Sequence, residues 1–233
     1  GLVAEKQLKY FDAEKLFRLS SQYNPELEAQ VTSELNGMVG KMINYGNNLL
    51  KERKVAEALK IYQLTFSILP DNPSAHNAIK IAEEKKASIE EAKAISLKAE
   101  QSEKDKKYQE AFNLYKQAYA KDPIKEYSDK VFTMESLIEI EKDAVGFARK
   151  IISSYNNGRI TSSLRKIEET LRDNFGDDVN TSGWRIMLST GTHRYEVRYD
   201  ITSKGESFYF IWQVNLLTRQ ITPLNKESKE AME

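Results

Sequence analysis

The stretch EAFNLYKQAYAKDP, residues 110–123, sets a small residue, Ala111, four places before an aromatic, Tyr115, and twelve before Pro123. The same spacing recurs twice. AEKLFRLSSQYNP gives Ala13, Phe17 and Pro25, and ALKIYQLTFSILP gives Ala58, Tyr62 and Pro70. The chain has five prolines, and three obey the rule. Chance agreement of that kind is on the order of one in 10⁵, so the spacing reads as an internal repeat. The physical sense is direct. An alanine lets two antiparallel helices approach closely, a ring one turn later fills the gap between them, and proline cannot continue the helix. Proline therefore ends one helix or opens the next at its first turn.

These residues resemble the tetratricopeptide repeat (TPR) family over roughly residues 1–125. The middle copy also has Gly46 twelve places before Ala58, and Asp71 and Asn72 after Pro70. The third has Ala99, Tyr108 and Ala118 in register, and the first keeps Tyr10. The resemblance implies stacked helical hairpins. The spacing departs from the family's 34 residues: the alanines lie 45 and then 53 apart, which predicts lengthened first helices. NPSAHNAIKIAEEKKASIEEAKAISLKAEQSEKDKK supports this, with Pro73 at a helix start and a small or apolar stripe from Ala75 to Ala99. The extra turns form either a projecting flange or a broken helix with a short loop. The first copy lacks most of its first helix, so the chain is expected to begin inside a structural unit.

After Pro123 a helical stretch runs to NNG, with Gly158 as its stop. Ile160, Leu164, Ile167, Leu171 and Phe175 then share one helical face. Beyond FGDD the apolar period falls to two. WRIML, YEVRYDI and FYFIWQVNL read as strands, Gly191 and Gly205 as turns, and RQITPL as a short fourth strand with Pro223 at an edge or end. The expected class is α+β: an all-α TPR-like helical-hairpin array with lengthened helices and a capping helix (1–143), then a small α+β domain (144–233). In that domain helices occupy about 144–175 and a β-meander about 183–222, with one apolar sheet face covered by the 160–175 helix. NKESKEAME reads as a frayed charged tail.

Charge is balanced, with 35 basic and 35 acidic residues, which argues against nucleic acid or anionic lipid as partner. No apolar run is long enough to span a membrane. The absence of cysteine excludes disulfides, thiolate chemistry and cysteine metal sites, and fits either a reducing or an oxidising compartment. His76 and His193 lack acidic partners at metal-binding spacing and read as surface histidines. There is no G-x-S-x-G, phosphate loop or G-x-G-x-x-G. Glu83–Glu84, Glu90–Glu91 and Asp177–Asp178 read as solvated pairs, and the NTS triplet at 180–182 as incidental. No enzyme activity, cofactor or metal is expected.

Two surfaces remain for a partner. The TPR resemblance implies a binding face on each first helix: Ile43, Asn44, Asn47, Leu50 and Lys51 in the second copy, and Lys93, Ser96, Leu97, Glu100 and Lys104 in the third. Asn47 matches the family's peptide-holding asparagine, but Gly40, Ile43 and Ser96 break the family's carboxylate-gripping set. In the last long strand, Tyr209 and Ile211 point away from Phe210 and Trp212, so they lie on a second sheet face that is either covered or sticky. The expected partner-binding residues are Asn44, Asn47, Lys51, Leu97, Tyr209 and Ile211. The expected function is a non-catalytic protein–protein interaction scaffold or adaptor, its partner a protein or peptide, a further copy of the chain included. The alternative is a structural subunit of a bacterial envelope, pilus, secretion or motility assembly, tethered by an upstream segment.

Overall fold

The computed structural model describes residues 2–233, with side chains from Lys9 onward. It is an α+β structure whose chain divides into two compact units, one through Ala94 and one from Ile95. The division lies within a 32-residue helix.

The first unit contains α1 (Leu2–Tyr23), a 3₁₀ turn (Pro25–Leu27), α2 (Glu28–Lys51), α3 (Val55–Ile68) and the start of α4 (Pro73–Lys104). Its core joins Leu35, Val39 and Met42 of α2 to Ile61, Tyr62 and Ile68 of α3, and to Ala78 and Ala82 of α4. Gly46 sits against Tyr62 so closely that a Cβ would lie 2.3 Å from its ring. The small-opposite-ring pattern thus sets the α2–α3 approach. Helix α2 has 24 residues and α4 has 32.

Two of the helix–helix turns are built alike. Between α2 and α3, Arg53 is left-handed (φ 64°), Arg53 N donates to Leu50 O and Lys54 N to Leu49 O. Between α4 and α5 (Tyr108–Lys121), Lys106 is left-handed (φ 59°), Lys106 N donates to Glu103 O and Lys107 N to Ser102 O. Helices α3 and α5 each have 14 residues. Before each repeat proline the closing residue is extended: Asn24 at φ −139°, Leu69 at −132° and Asp122 at −143°. An extended residue is what a following proline demands, because proline's ring excludes the α conformation from its predecessor.

The second unit comprises the end of α4, α5, α6 (Lys125–Ser154), α7 (Arg159–Phe175), four strands and α8 (Lys226–Glu230). Ala99, Ala111, Tyr115 and Met134 form a small core among α4, α5 and α6. Helix α6 breaks at Asp143 (φ −163°, ψ 90°). There the Asp143 carboxylate accepts from Gly146 N at 2.8 Å and caps the second half. A turn with three left-handed residues, Asn156, Asn157 and Gly158, leads into α7.

The sheet is the expected antiparallel meander, β1 (Asn180–Leu188), β2 (Arg194–Ser203), β3 (Glu206–Asn215) and β4 (Gln220–Pro223), in spatial order β1-β2-β3-β4. Lys204 and Gly205 (φ 46° and 84°) make the two-residue turn between β2 and β3. β1 starts earlier than WRIML and contains an irregularity between Thr181 and Trp184, where Gly183 is left-handed. The inner face, Val197, Ile201, Phe210, Trp212 and Val214, is covered by Ile160 and Leu164 of α7. It is also covered by Phe147, Ala148, Ile151 and Ile152 of α6, a second helix that the apolar periodicity did not assign to the sheet.

The frayed tail needs correction. Residues 226–230 are helical, Asn225 caps them by accepting from Ser228 N at 3.0 Å, and Ser228 and Ala231 are buried. The charges point outward while two small residues reach the sheet, so composition alone concealed the docking.

Candidate functional site

The sheet's outer face is built by the residues that alternate with the core. Register places Arg185 of β1, Arg198 of β2 and Ile211 of β3 in one row, and Asp200 opposite Tyr209 in the next. Asp200 is buried and forms ion pairs with both Arg185 and Arg198, the latter at 2.6 Å. Its backbone N–H donates to Ser182 Oγ at 2.9 Å. Two arginines on one carboxylate hold their guanidinium groups in fixed positions. The Arg198 guanidinium then lies 5.3 Å from the Tyr209 ring centre, a cation–π contact. Tyr209 is 48% exposed and Met187 of β1 54%. Ile211 is half-buried. Helices α6 and α7, and Ala231 just beyond α8, contribute to the opposite, inner core.

The residues expected on the helices fall in different settings. On α2, Asn44 and Lys51 are exposed. Asn47 is exposed as well, but its Oδ1 accepts a 2.7 Å hydrogen bond from the Tyr62 hydroxyl. Asn47 therefore positions the buried ring, and that acceptor is occupied. Ile43 and Leu50 pack against the first unit's core. In the second unit Leu97 is 57% exposed and Ser96 is buried, so of these two neighbours only the leucine offers a contact surface. Glu100 and Lys104 line a shallow depression with Glu103, Tyr108, Lys130 and Leu137. Asn44, Asn47 and Lys51 belong to one compact unit, and Leu97, Tyr209 and Ile211 to the other.

Sequence reasoning found Tyr209 and Ile211 by strand alternation but missed Arg185, Arg198 and Asp200. The signal lay in YEVRYDI: Arg198 and Asp200 alternate with the apolar residues and so share a face.

Two clusters pair a phenol with a carboxylate. In one, the Tyr115 hydroxyl donates to Glu103 Oε2 at 2.8 Å, and Lys130 Nζ donates to the same oxygen at 2.9 Å. Burial, reinforced by the hydrogen bond to Glu103, raises the Tyr115 phenol well above the usual tyrosine value. In the other, the Tyr199 hydroxyl donates to Glu168, and burial again raises the phenol. In each cluster the hydrogen bond ties a partly buried ring to a carboxylate from another helix or strand.

His76 is exposed, with Nε2 at 2.8 Å from Pro70 O and its ring against Phe66, and His193 occupies the β1–β2 turn. Among the described residues no group of three or more His, Cys, Asp and Glu is arranged to hold a metal ion. Among them, too, no helix is long and apolar enough to cross a membrane.

Comparison with known proteins found no matching family model, no similar curated protein and no similar solved structure.

Proposed function

We propose that the chain is a non-catalytic protein–protein interaction scaffold: a TPR-like helical array with lengthened helices, carrying a sheet domain that engages a protein partner. The repeat reading is supported by the equivalence of the Arg53 and Lys106 turns, by two 14-residue second helices and by the shared extended residue before each repeat proline. The observation that carries the function is the outer sheet face. It displays Tyr209, Ile211, Met187 and two anchored arginines, a composition concentrated at protein interfaces, where rigid rings and guanidinium groups supply most of the binding energy. Side chains already held in place lose little freedom on binding. Asn44 and Lys51 on α2 and Leu97 on α4 are the surface residues through which the helices would contribute.

The test is affinity capture from the native cell with the wild-type chain and with Tyr209→Asp. Tyr209 is half-exposed, so the variant is expected to keep the wild-type circular dichroism and melting temperature. Loss of a specific captured protein by the folded variant supports the reading. Capture of the same proteins in equal amount by both removes the sheet face from it.

A further inference from the structure

The two edges of the sheet are finished differently. On the β4 side the chain closes its own edge. β4 is short and ends at Pro223, and beyond it the C-terminal segment takes up the free groups of β3. Leu224 N donates to Ile211 O at 2.8 Å, Ile211 N donates to Ser228 Oγ, and Asn225 Nδ2 donates to Tyr209 O. On the β1 side the first residues are disrupted by the Gly183 irregularity, but Trp184–Leu188 run straight.

The direction of each β1 backbone group follows from register. Ser189 N donates to Arg194 O at 2.9 Å, and Leu188 faces Tyr195. Bonded pairs alternate along an antiparallel ladder, so Met187 and Arg185 bond to β2, while the N–H and C=O groups of Trp184, Ile186 and Leu188 point to the open edge. The same three residues carry the inner-face side chains. Trp184 and Ile186 are only half-buried and Leu188 is 71% exposed. Trp184 and Ile186 pack against the inner core, so the apolar surface left uncovered beside this backbone edge is that of Leu188; an open strand edge next to exposed apolar surface is the condition for strand addition.

The geometry points to a second copy of this chain as the added strand, with two β1 strands pairing antiparallel about a two-fold axis at Ile186. Read backward, the strip matches itself. Trp184 faces Leu188, Ile186 faces Ile186, and every outward N–H and C=O meets its counterpart, because all three positions share one parity. On the other face Arg185 lies opposite Met187, so no like charges are opposed directly, and each Arg185 is already paired with its own Asp200. A depression beside Trp184, lined by Thr161, Leu164, Arg165, Glu168 and Tyr199, leaves space next to the strip. A five-residue strip is short against the roughly 1,600 Å² of a standard interface, so the dimer is expected to be reversible and concentration-dependent. It uses a backbone edge and is independent of the outer-face reading; Tyr209→Asp leaves it intact.

The chain contains no cysteine, so single introduced cysteines report the register cleanly. In this pairing the two Ile186 Cα atoms stand about 5.5 Å apart, within disulfide range, whereas two Arg185 residues are offset along the strands. Ile186→Cys treated with diamide is expected to give a covalent dimer, Arg185→Cys and Met187→Cys singly to give little, and the double variant Arg185→Cys/Met187→Cys to cross-link. Sedimentation equilibrium of the unmodified chain should show a monomer–dimer equilibrium. Ile186→Pro, which removes an N–H that β2 does not use, should abolish it at unchanged circular dichroism. A monomeric mass at every attainable concentration, equal cross-linking at 185, 186 and 187, or protection of the 184–188 amides from hydrogen exchange only when a different polypeptide is added would each overturn the proposal. The cysteine series decides the matter even if the proline variant fails to fold.

Discussion

Tyr62, Tyr115 and Tyr199 share a design: each is a ring in a tight space whose hydroxyl finds an acceptor, Asn47, Glu103 and Glu168 respectively. Burial raises all three phenols above the ordinary tyrosine value of about 10. The sign of the consequence is fixed by linkage. In the unfolded chain these phenols ionise near pH 10, whereas in the folded chain they hold their protons to higher pH. The stabilisation is complete below pH 10 and is lost as pH rises through the folded values. Denaturant midpoints are therefore expected to fall steeply above about pH 10. Tyr115→Phe should reduce that slope. At neutral pH it should also cost about 1–2 kcal/mol, because Glu103 loses a charge-assisted bond but keeps Lys130. A slope above pH 10 identical to that of the wild type would show that Tyr115 does not carry the effect.

Helix pairing rests on a few close approaches, and Gly46 is the clearest. Replacing it with alanine brings a helix-propensity gain of up to about 1 kcal/mol. Against that, the new Cβ would lie 2.3 Å from the ring of Tyr62, which is fully buried and held by Asn47. Overpacking a site that cannot relax costs about 1–3 kcal/mol, so Gly46→Ala is expected to destabilise, as read by chemical denaturation. A stabilised variant would mean that Tyr62 has space to move aside. The α6 break invites the opposite kind of change. Asp143→Ala removes the cap on Gly146 N and should cost about 1 kcal/mol, again measured by denaturation. These elements differ in how far the sequence disclosed them. The helix pairs were legible because proline and small-opposite-ring contacts leave fixed spacings. The meander was legible because period-two alternation and Gly191 and Gly205 are local signals. The break at Asp143 was also local, an Asp three residues before a glycine, yet it lies within unbroken helical periodicity. The docking of α8 was hidden because Ser228 and Ala231 are small residues in a charged segment, and their burial depends on a strand edge that exists only after folding. The arginine–aspartate cluster of the outer face needed register across three strands, which no single strand contains.

At the scale of the whole molecule, single side chains can tie together residues far apart in the sequence. Within the second unit the β3–β4 turn supplies one of them. Arg219 sits there in a left-handed conformation (φ 56°), donates to Glu135 Oε2 at 2.6 Å and to Ser136 Oγ at 3.2 Å, and lies 4.3 Å from the Phe132 ring centre. It also approaches Phe147 at 5.5 Å. Phe132 precedes the break at Asp143 and Phe147 follows it, so one guanidinium touches both halves of α6 and fastens them to the sheet. The Glu135 ion pair is half-exposed and contributes little by itself. The stacked contacts and the Arg219 stem covering two rings are the larger part, about 1–2 kcal/mol together. Arg219→Ala should therefore lower stability by about that amount, and Arg219→Lys should recover only a minor fraction, because an ammonium cannot stack on one ring while donating to both Glu135 and Ser136. The sharper expectation concerns cooperativity. With the clasp gone, amide exchange in residues 125–142 should become faster than in the sheet core around Val197 and Trp212, whereas in the wild type the two regions are expected to open together. Uniform loss of protection across both regions would show instead that the α6 break is rigid on its own and that Arg219 only adds packing.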